Sequence, residues 1–264
     1  MKIVSLIPSA TEIVDFLGLT KNLVGVSHEC DSPNVVRSLP VITKSKIKVD
    51  SKSLLIDNSI KKILELGLSV YGVNTNILKD LNPDIIITQS QCSVCAVSLN
   101  ELKKSLGSWL DKDTKLIDLS PNSLNDILHD IIHVGKILNK SKTAIEKVNY
   151  IKDKIIFIKH KLKNEEEKKI LCIEWLNPVM IAGNWMPDLL RVVNASGFLV
   201  QSGQNSIFTS LEKLTEEHID KVILMPCGFD IKRIKKELQF VDRNLKTFFK
   251  NKDVYLVDGN KFFN

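Results

Sequence analysis

Arginine is scarce in this chain. Of 37 basic residues only Arg37, Arg191, Arg233 and Arg243 are arginines, so the formal charge of +6 is carried by lysine. Surfaces that grip nucleic acid cluster arginine and lysine among stacking aromatics. Here aromatics make up 6% of the chain, and the lysines scatter along stretches such as Lys152-Asp153-Lys154 and Lys159 to Lys163. They read as solvated helix faces, and no nucleic-acid partner is expected. Long apolar runs are missing too. Nothing approaches the roughly 20 apolar residues of a membrane span, and Lys2-Ile3-Val4-Ser5-Leu6-Ile7-Pro8 is too short for the apolar centre of a secretion signal. As written, the sequence predicts a cytoplasmic chain without membrane insertion, or a periplasmic one if a leader precedes it. Cysteines number five, an odd count in a sizeable chain, which favours reduced thiols over a disulfide framework. A Gly-x-Ser-x-Gly elbow and an evident acid/base pair are both missing, so no catalytic residues are assigned and a hydrolase reading is weak.

What is present is ordinary globular composition, 44% hydrophobic and 26% charged over 264 residues. That length suits one large domain or two lobes of roughly 100 to 150 residues each. Strand and helix signals alternate. Ile3–Ile7, Leu23–Val26, Val70–Val73, Asp84–Thr88 and Leu116–Leu119 read as strands, the fourth apolar on both faces as a buried parallel strand would be. Ser9-Ala10-Thr11-Glu12 has capping-box spacing at a helix start. Thr75 is placed to cap a short helix that stops at Asn82-Pro83. From Leu124 to Leu162 helical periodicity is interrupted only at Asn139-Lys140-Ser141. Ile145, Val148, Ile151, Ile155, Ile158 and Leu162 then draw one apolar stripe along a helix roughly 30 Å long. Strands resume at Lys169–Trp175, Val179–Ala182, Val222–Met225 and Val254–Val257, with helices near Pro187–Ala195, Leu211–His218 and Ile231–Phe240. Gly197 suits a left-handed position past a helix end. The expectation is an α/β protein of two parallel-sheet lobes, 1–122 and 164–264, joined by a helical connector 123–163 that includes one long backbone helix, with a ligand cleft between the lobes.

In open parallel sheets, ligands bind beyond the carboxyl ends of the strands. After the first strand come Ser9, Ala10 and Thr11. After the second come His28, Glu29, Cys30 and Asp31. After Asp84–Thr88 come Gln89, Gln91, Cys92 and Cys95. In the second half, Glu174, Trp175 and Asn177 follow one strand, Asn184 and Trp185 another, and Cys227, Gly228 and Phe229 a third. Tryptophan faces offer flat apolar surface, and the cysteines and His28 offer soft ligands or hydrogen-bonding groups. The Cys92-x-x-Cys95 pair stays open between pocket wall, metal or thiolate ligation and redox chemistry. Structural zinc wants four ligands, and only Cys30 and His28 could complete such a set. A thioredoxin-type pair needs its own fold around it. Cys172 lies inside its strand and reads as core packing.

Ile3-Val4-Ser5-Leu6-Ile7-Pro8-Ser9-Ala10-Thr11-Glu12, Leu17-Gly18-Leu19, Leu23–Ser27 and Leu81-Asn82-Pro83-Asp84-Ile85-Ile86-Ile87 resemble the vitamin-B12-type periplasmic binding proteins. These are the helical-backbone substrate-binding proteins of ABC importers for cobalamin, haem and ferric siderophores. Ser27–Pro33, Thr88–Ser98 and Ile173–Pro178 resemble its cobalamin-binding-like subgroup. The resemblance implies a monomeric, non-catalytic protein with little hinge motion, holding a corrinoid (cobalamin-like) or related metal chelate. Its pocket walls would include Ser9 to Thr11, His28 to Asp31, Gln89 to Cys92, Trp175, Trp185 and Cys227 to Phe229. A corrin is a broad, largely apolar disc with amide arms, and indole faces with Gln, Asn and backbone donors suit it. The family docks its permease through one glutamate per lobe. Glu212 matches the second-lobe position, whereas the first-lobe position falls near Ala96, which is no carboxylate. The family's terminal helix is expected to be missing after Phe263. The alternative from another class is a cytosolic metal- or thiol-redox protein using Cys30, Cys92, Cys95 and possibly Cys227, with a metal ion at the cysteine cluster.

Overall fold

The computed structural model describes residues 1–47, 52–65, 70–91, 97, 99–107, 114–216 and 218–263. The first half of the chain runs β1 (Ile3–Ser5), α1 (Pro8–Phe16), β2 (Leu23–Val26), β3 (Thr43–Ser45), α2 (Ser53–Glu65), β4 (Tyr71–Val73), α3 (Thr75–Leu81), β5 (Ile85–Gln89), α4 (Leu99–Leu106) and β6 (Lys115–Leu119). Two helices follow, α5 (Leu124–Ile137) and α6 (Ser141–Leu162). The rest is β7 (Lys168–Leu176), β8 (Val179–Ile181), α7 (Met186–Val192), β9 (Ala195–Gly197), β10 (Ile207–Phe208), α8 (Leu211–Thr215), β11 (Lys221–Leu224), α9 (Ile231–Glu237), α10 (Arg243–Lys250), β12 (Asp253–Leu256) and α11 (Gly259–Phe262). The chain divides into two units. One comprises Met1–Asp50, Asn58–Pro121 and Leu128–Val148, and the other Ser51–Asp57, Asn122–Ile127 and Asn149–Asn264.

In the first unit, β2-β1-β5-β6 form a sheet in that order, parallel throughout. All five residues of β5 are buried, which is why its sequence is apolar on both faces rather than alternating. Val4, Leu6, Ile42, Leu78, Ile86, Val97, Leu102 and Leu106 pack as one core cluster. Parallel pairing gathers the carboxyl ends Ser5, Val26 and Gln89 at one edge of this sheet.

Two helix starts differ from the sequence reading. Helix α1 begins at Pro8, with Ile7 at the N-cap and no side-chain cap, so Ser9 and Glu12 form no capping box. Proline at the first helical position is already set for helix and has no N–H to satisfy, which moves the start ahead of Ser9. Helix α3 is capped by Asn74, whose Oδ1 accepts from the Ile77 N–H at 3.2 Å, instead of by Thr75. It does end at Asn82 (φ 44°), before Pro83.

Helix α6 spans 22 residues. Its buried positions are Ala144 and Val148, with Ile151, Ile155, Ile158 and Leu162 half-buried. Ile145 leaves the expected stripe and is 49% exposed, as are Tyr150 (57%), Ile156 (65%) and Phe157 (67%). Ala144, four residues before Val148, takes that place because α5 approaches too closely for isoleucine. A Cβ on Gly135 would stand 2.4 Å from the Ala144 Cβ, and the Lys140 N–H reaches the Gly135 carbonyl at 2.6 Å.

The second unit's sheet runs β10-β8-β7-β11-β12, with β9 also on β7. Strands β9, β7, β11 and β12 pair in parallel, whereas β8 runs against them, antiparallel to both β7 and β10. Two residues, Asn177-Pro178, connect β7 to β8, and only an antiparallel pair can be joined by so short a loop. One edge of β7 is therefore shared, with Lys168–Ile170 on β9 and Ile173–Leu176 on β8. Gly197 sits in β9, and the left-handed position after α7 belongs to Asn194 (φ 53°). Ser51–Asp57 joins this unit because the buried Glu237 carboxylate of α9 accepts from the Ser53 N–H (2.7 Å) and hydroxyl (2.5 Å) at the start of α2. Gly135→Ala should lower unfolding stability by about 1–3 kcal/mol in urea titration, by overpacking the α5–α6 crossing. An unchanged midpoint would mean the two helices part freely.

Candidate functional site

In the first unit the residues after β2 fold into a tight turn, with the Cys30 N–H on the Ser27 carbonyl (3.1 Å) and the Glu29 N–H on the Ser27 hydroxyl (3.1 Å). This turn holds His28 against Thr43, whose Oγ1 accepts from the His28 N–H (3.1 Å) and lies 2.7 Å from ring Nδ1. Which of the two donates in that second contact depends on the ring tautomer. Burial lowers the His28 pKa and keeps that ring neutral. Tyr71 stacks at a tilt on His28, centroids 5.3 Å apart, and its hydroxyl donates to Glu29 Oε1 at 3.3 Å. Burial pushes the Glu29 carboxyl up to about 7, with the Tyr71 bond pulling back. Thr43 and Tyr71 come from the antiparallel pair β3–β4. Sequence reasoning placed Tyr71 in a strand but gave it no role. A three-residue β3 has too little pattern to announce itself.

The other first-unit candidates separate by burial. Ala10 and Thr11 are fully buried, and Cys30 is 7% exposed. Thr11 Oγ1 donates to the Ser5 hydroxyl (2.8 Å) and lies 3.1 Å from Cys30 Sγ. These three are packing beneath the strand ends, a correction to their reading as pocket wall. Burial raises the Cys30 thiol pKa, opposite to what a nucleophile or thiolate ligand needs. Ser9 is exposed on α1. Asp31 lies beside Arg37, which donates Nε to its carbonyl at 3.1 Å. Gln89 ends β5 nearly buried, its Nε2 donating to Gln91 Oε1 at 3.2 Å. Cys92, Cys95 and the docking position near Ala96 lie outside the described residues.

In the second unit Glu174 and Trp175 occupy the last turn of pleat of β7. Burial pushes Glu174 up to about 7, and a hydrogen bond with Ser206 pulls it back. The Trp175 ring lies 5.3 Å from Phe229, and the Arg233 guanidinium sits 3.9 Å over that same ring. Phe229 is thereby sandwiched and only 4% exposed. The indole Nε1 of Trp175 is buried and has no hydrogen-bond partner among the described residues. Gly228 makes the turn after β11 at φ 71°, a conformation suited to glycine. Cys227 Sγ donates to the Phe263 carbonyl at 3.4 Å. Cys172 is core, as read, its thiol pushed up to about 12 by burial. Arg233 and Ser206 were not legible, since each reaches the site from a segment distant in sequence.

Asn184 and Trp185 need a correction. Because β8 is antiparallel, the chain after it turns back along β7, with the Ala182 N–H on the Cys172 carbonyl at 2.9 Å. Trp185 packs against the core cluster that includes Ile170, Cys172, Ala182 and Met225, and Asn184 is tied to Gln204 (N–H to carbonyl, 2.6 Å). The strand-end argument does not apply to either residue. Glu212 is exposed on α8, its carboxyl held below the usual range first by the Ser210 hydroxyl. Its neighbours Leu211 and Leu214 line a shallow hollow of about 360 Å³ with Thr247 and Phe248. Among the described residues, no group of three or more His, Cys, Asp or Glu is placed to hold a metal ion, and no helix is long and apolar enough to cross a membrane. The metal- or thiol-redox alternative finds no support in them.

Glu29 and Glu174 bind protons in the folded state that the unfolded chain has released by pH 6.5, so stability should fall as pH rises from 6.5 to 8. Glu29→Gln and Glu174→Gln should each flatten that slope and raise the melting temperature at pH 8. His28 acts in the opposite sense, its lowered pKa costing stability as pH falls through the ordinary histidine range near 6.5, so it opposes the glutamates only at the lower end of this window. Calorimetry at the two pH values checks both, and a slope unchanged in either variant rejects that residue's share.

No curated protein matches the sequence. Among solved structures, the periplasmic vitamin B12 binding protein BtuF of Vibrio cholerae superposes with a TM-score of 0.64 at 16% identity, covering 98% of this chain and 88% of that one. The periplasmic heme binding protein HutB of Vibrio cholerae gives 0.66 at 17%, covering 100% and 91%. S. aureus IsdE complexed with heme gives 0.70 at 17%, covering 99% and 91%. At these identities the likeness establishes the two-lobed fold and no more. The sequence itself carries the family signature from residue 3 to residue 260, and the chain belongs to the periplasmic binding protein family.

Proposed function

We propose that this chain is the substrate-binding component of an ABC-type importer and holds a corrinoid or closely related metal chelate without transforming it. The observation that carries the reading is Trp175, which presents a large indole braced by Phe229 and keeps a buried N–H without an acceptor. A ligand with a flat apolar body and amide arms matches both halves of that side chain, stacking on the ring and accepting from Nε1. Glu29 and Glu174, poised near neutrality, donate to amide carbonyls when protonated. His28 has Nδ1 engaged by Thr43, which leaves Nε2 as the ring atom able to meet a ligand.

The contacts proposed are Ser9, His28, Glu29, Asp31, Gln89 and Gln91 from the first unit. From the second they are Trp175, Cys227 and Gly228. The proposed lobes are 1–122 and 164–264 with 123–163 as connector, of which Leu128–Val148 packs with the first unit and the rest with the second. A monomer working outside the cytoplasmic membrane would dock its permease through Glu212. Titration with cyanocobalamin and separately with haemin, followed by tryptophan quenching and visible absorbance, tests the ligand. Saturable cobalamin binding, weakened about tenfold in Trp175→Ala, is expected. Absence of cobalamin binding at tens of micromolar rejects the corrinoid, and a haemin complex with a shifted Soret band reassigns the ligand.

A further inference from the structure

Helix α5 turns Leu128, Ile131 and Val134 into the core. Its outer side carries His129 and His133, both exposed. They are the one pair among the five histidines spaced four residues apart. One helical turn sets such side chains one above the other, with Cβ atoms roughly 5–6 Å apart. Two imidazoles can close that gap on a single ion through metal–nitrogen bonds of about 2 Å. Among the described residues neither ring has a hydrogen-bond or ion-pair partner, so no existing contact must break. Asp126 and Asp130 each stand three residues before one of the histidines and favour a cation there. Asp126 is held in place by accepting from the Asn122 and Ser123 N–H groups at 3.0 and 2.9 Å. Lys136, three residues after His133, opposes them with one charge.

We propose that His129 and His133 together bind one divalent transition-metal ion of the Ni²⁺, Cu²⁺ or Zn²⁺ type, with water in the remaining positions. The pair is not part of the Trp175 or His28 clusters, and the proposal stands independently of the ligand reading.

The test is calorimetric titration of the full chain with NiCl₂ at pH 7.5, its accessible thiols first alkylated so that cysteine cannot compete. One ion per chain is expected. His129→Asn and His133→Asn should each weaken it about tenfold or more, because a second ligand on the same rigid helix acts at high effective concentration. His160→Asn and His218→Asn should leave it unchanged. Both helix positions are solvent-facing, so matching circular dichroism melts confirm that the variants are folded. Failure of the wild-type chain to bind Ni²⁺ overturns the proposal. So does binding that survives either α5 substitution, or that disappears instead in His28→Asn.

Discussion

Ile3–Ser5 pairs in parallel with Leu23–Val26 on one side and Ile85–Ile87 on the other, and in the second unit Lys221–Leu224 does the same with Ile170–Ile173 and Asp253–Leu256. A parallel ladder cannot close through a hairpin, so each return journey is made by a helix and every strand of the set ends at the same edge. That one constraint decides which residues can meet. It brings the Ser27–Cys30 turn beside the start of α1, and the 225–229 turn beside Glu174 and Trp175. Where the constraint is broken, at the antiparallel β8, the neighbouring residues Asn184 and Trp185 go elsewhere.

Both strand-end clusters combine an aromatic pair with a carboxyl that burial has brought close to neutrality. An ionised carboxylate there would lose hydration that one hydroxyl partner cannot replace. Glu29 has Tyr71 and Glu174 has Ser206, a single neutral donor each. The result is two groups able to give or take a hydrogen bond near pH 7, a versatility suited to binding amides and carboxylates. The same desolvation acts on Cys30 and Cys172 to hold them as thiols, which is why soft-ligand chemistry does not follow from the number of cysteines.

The long strands and helices were legible because their patterns are long. Asp84–Thr88 has no polar interruption, and Leu124–Leu162 keeps helical period through 39 residues with one break. Strand ends followed from these, and with them His28, Glu29, Trp175 and Phe229. What stayed hidden depends on distance in sequence. Thr43 and Tyr71 reach His28 from a three-residue pair with little periodicity, and Arg233 reaches Phe229 from the next helix. Burial at single positions was equally unreadable. Thr11 and Ser9 are two residues apart on α1, yet one is sealed in the core and the other is solvated. Capping motifs misled for a local reason, since Pro8 outcompetes Ser9 and Asn74 outcompetes Thr75.

Glu237 completes the first turn of α2 from 184 positions further along the chain. During synthesis at about 5–20 residues per second, Ser53 therefore waits on the order of 10–40 s for its partner. The earlier half of the molecule leaves the ribosome with a helix start whose finishing carboxylate has not yet been made. Completion of this helix start thus waits on α9, and a chain arrested before it would lack the Ser53–Glu237 bonds however well its first sheet had formed.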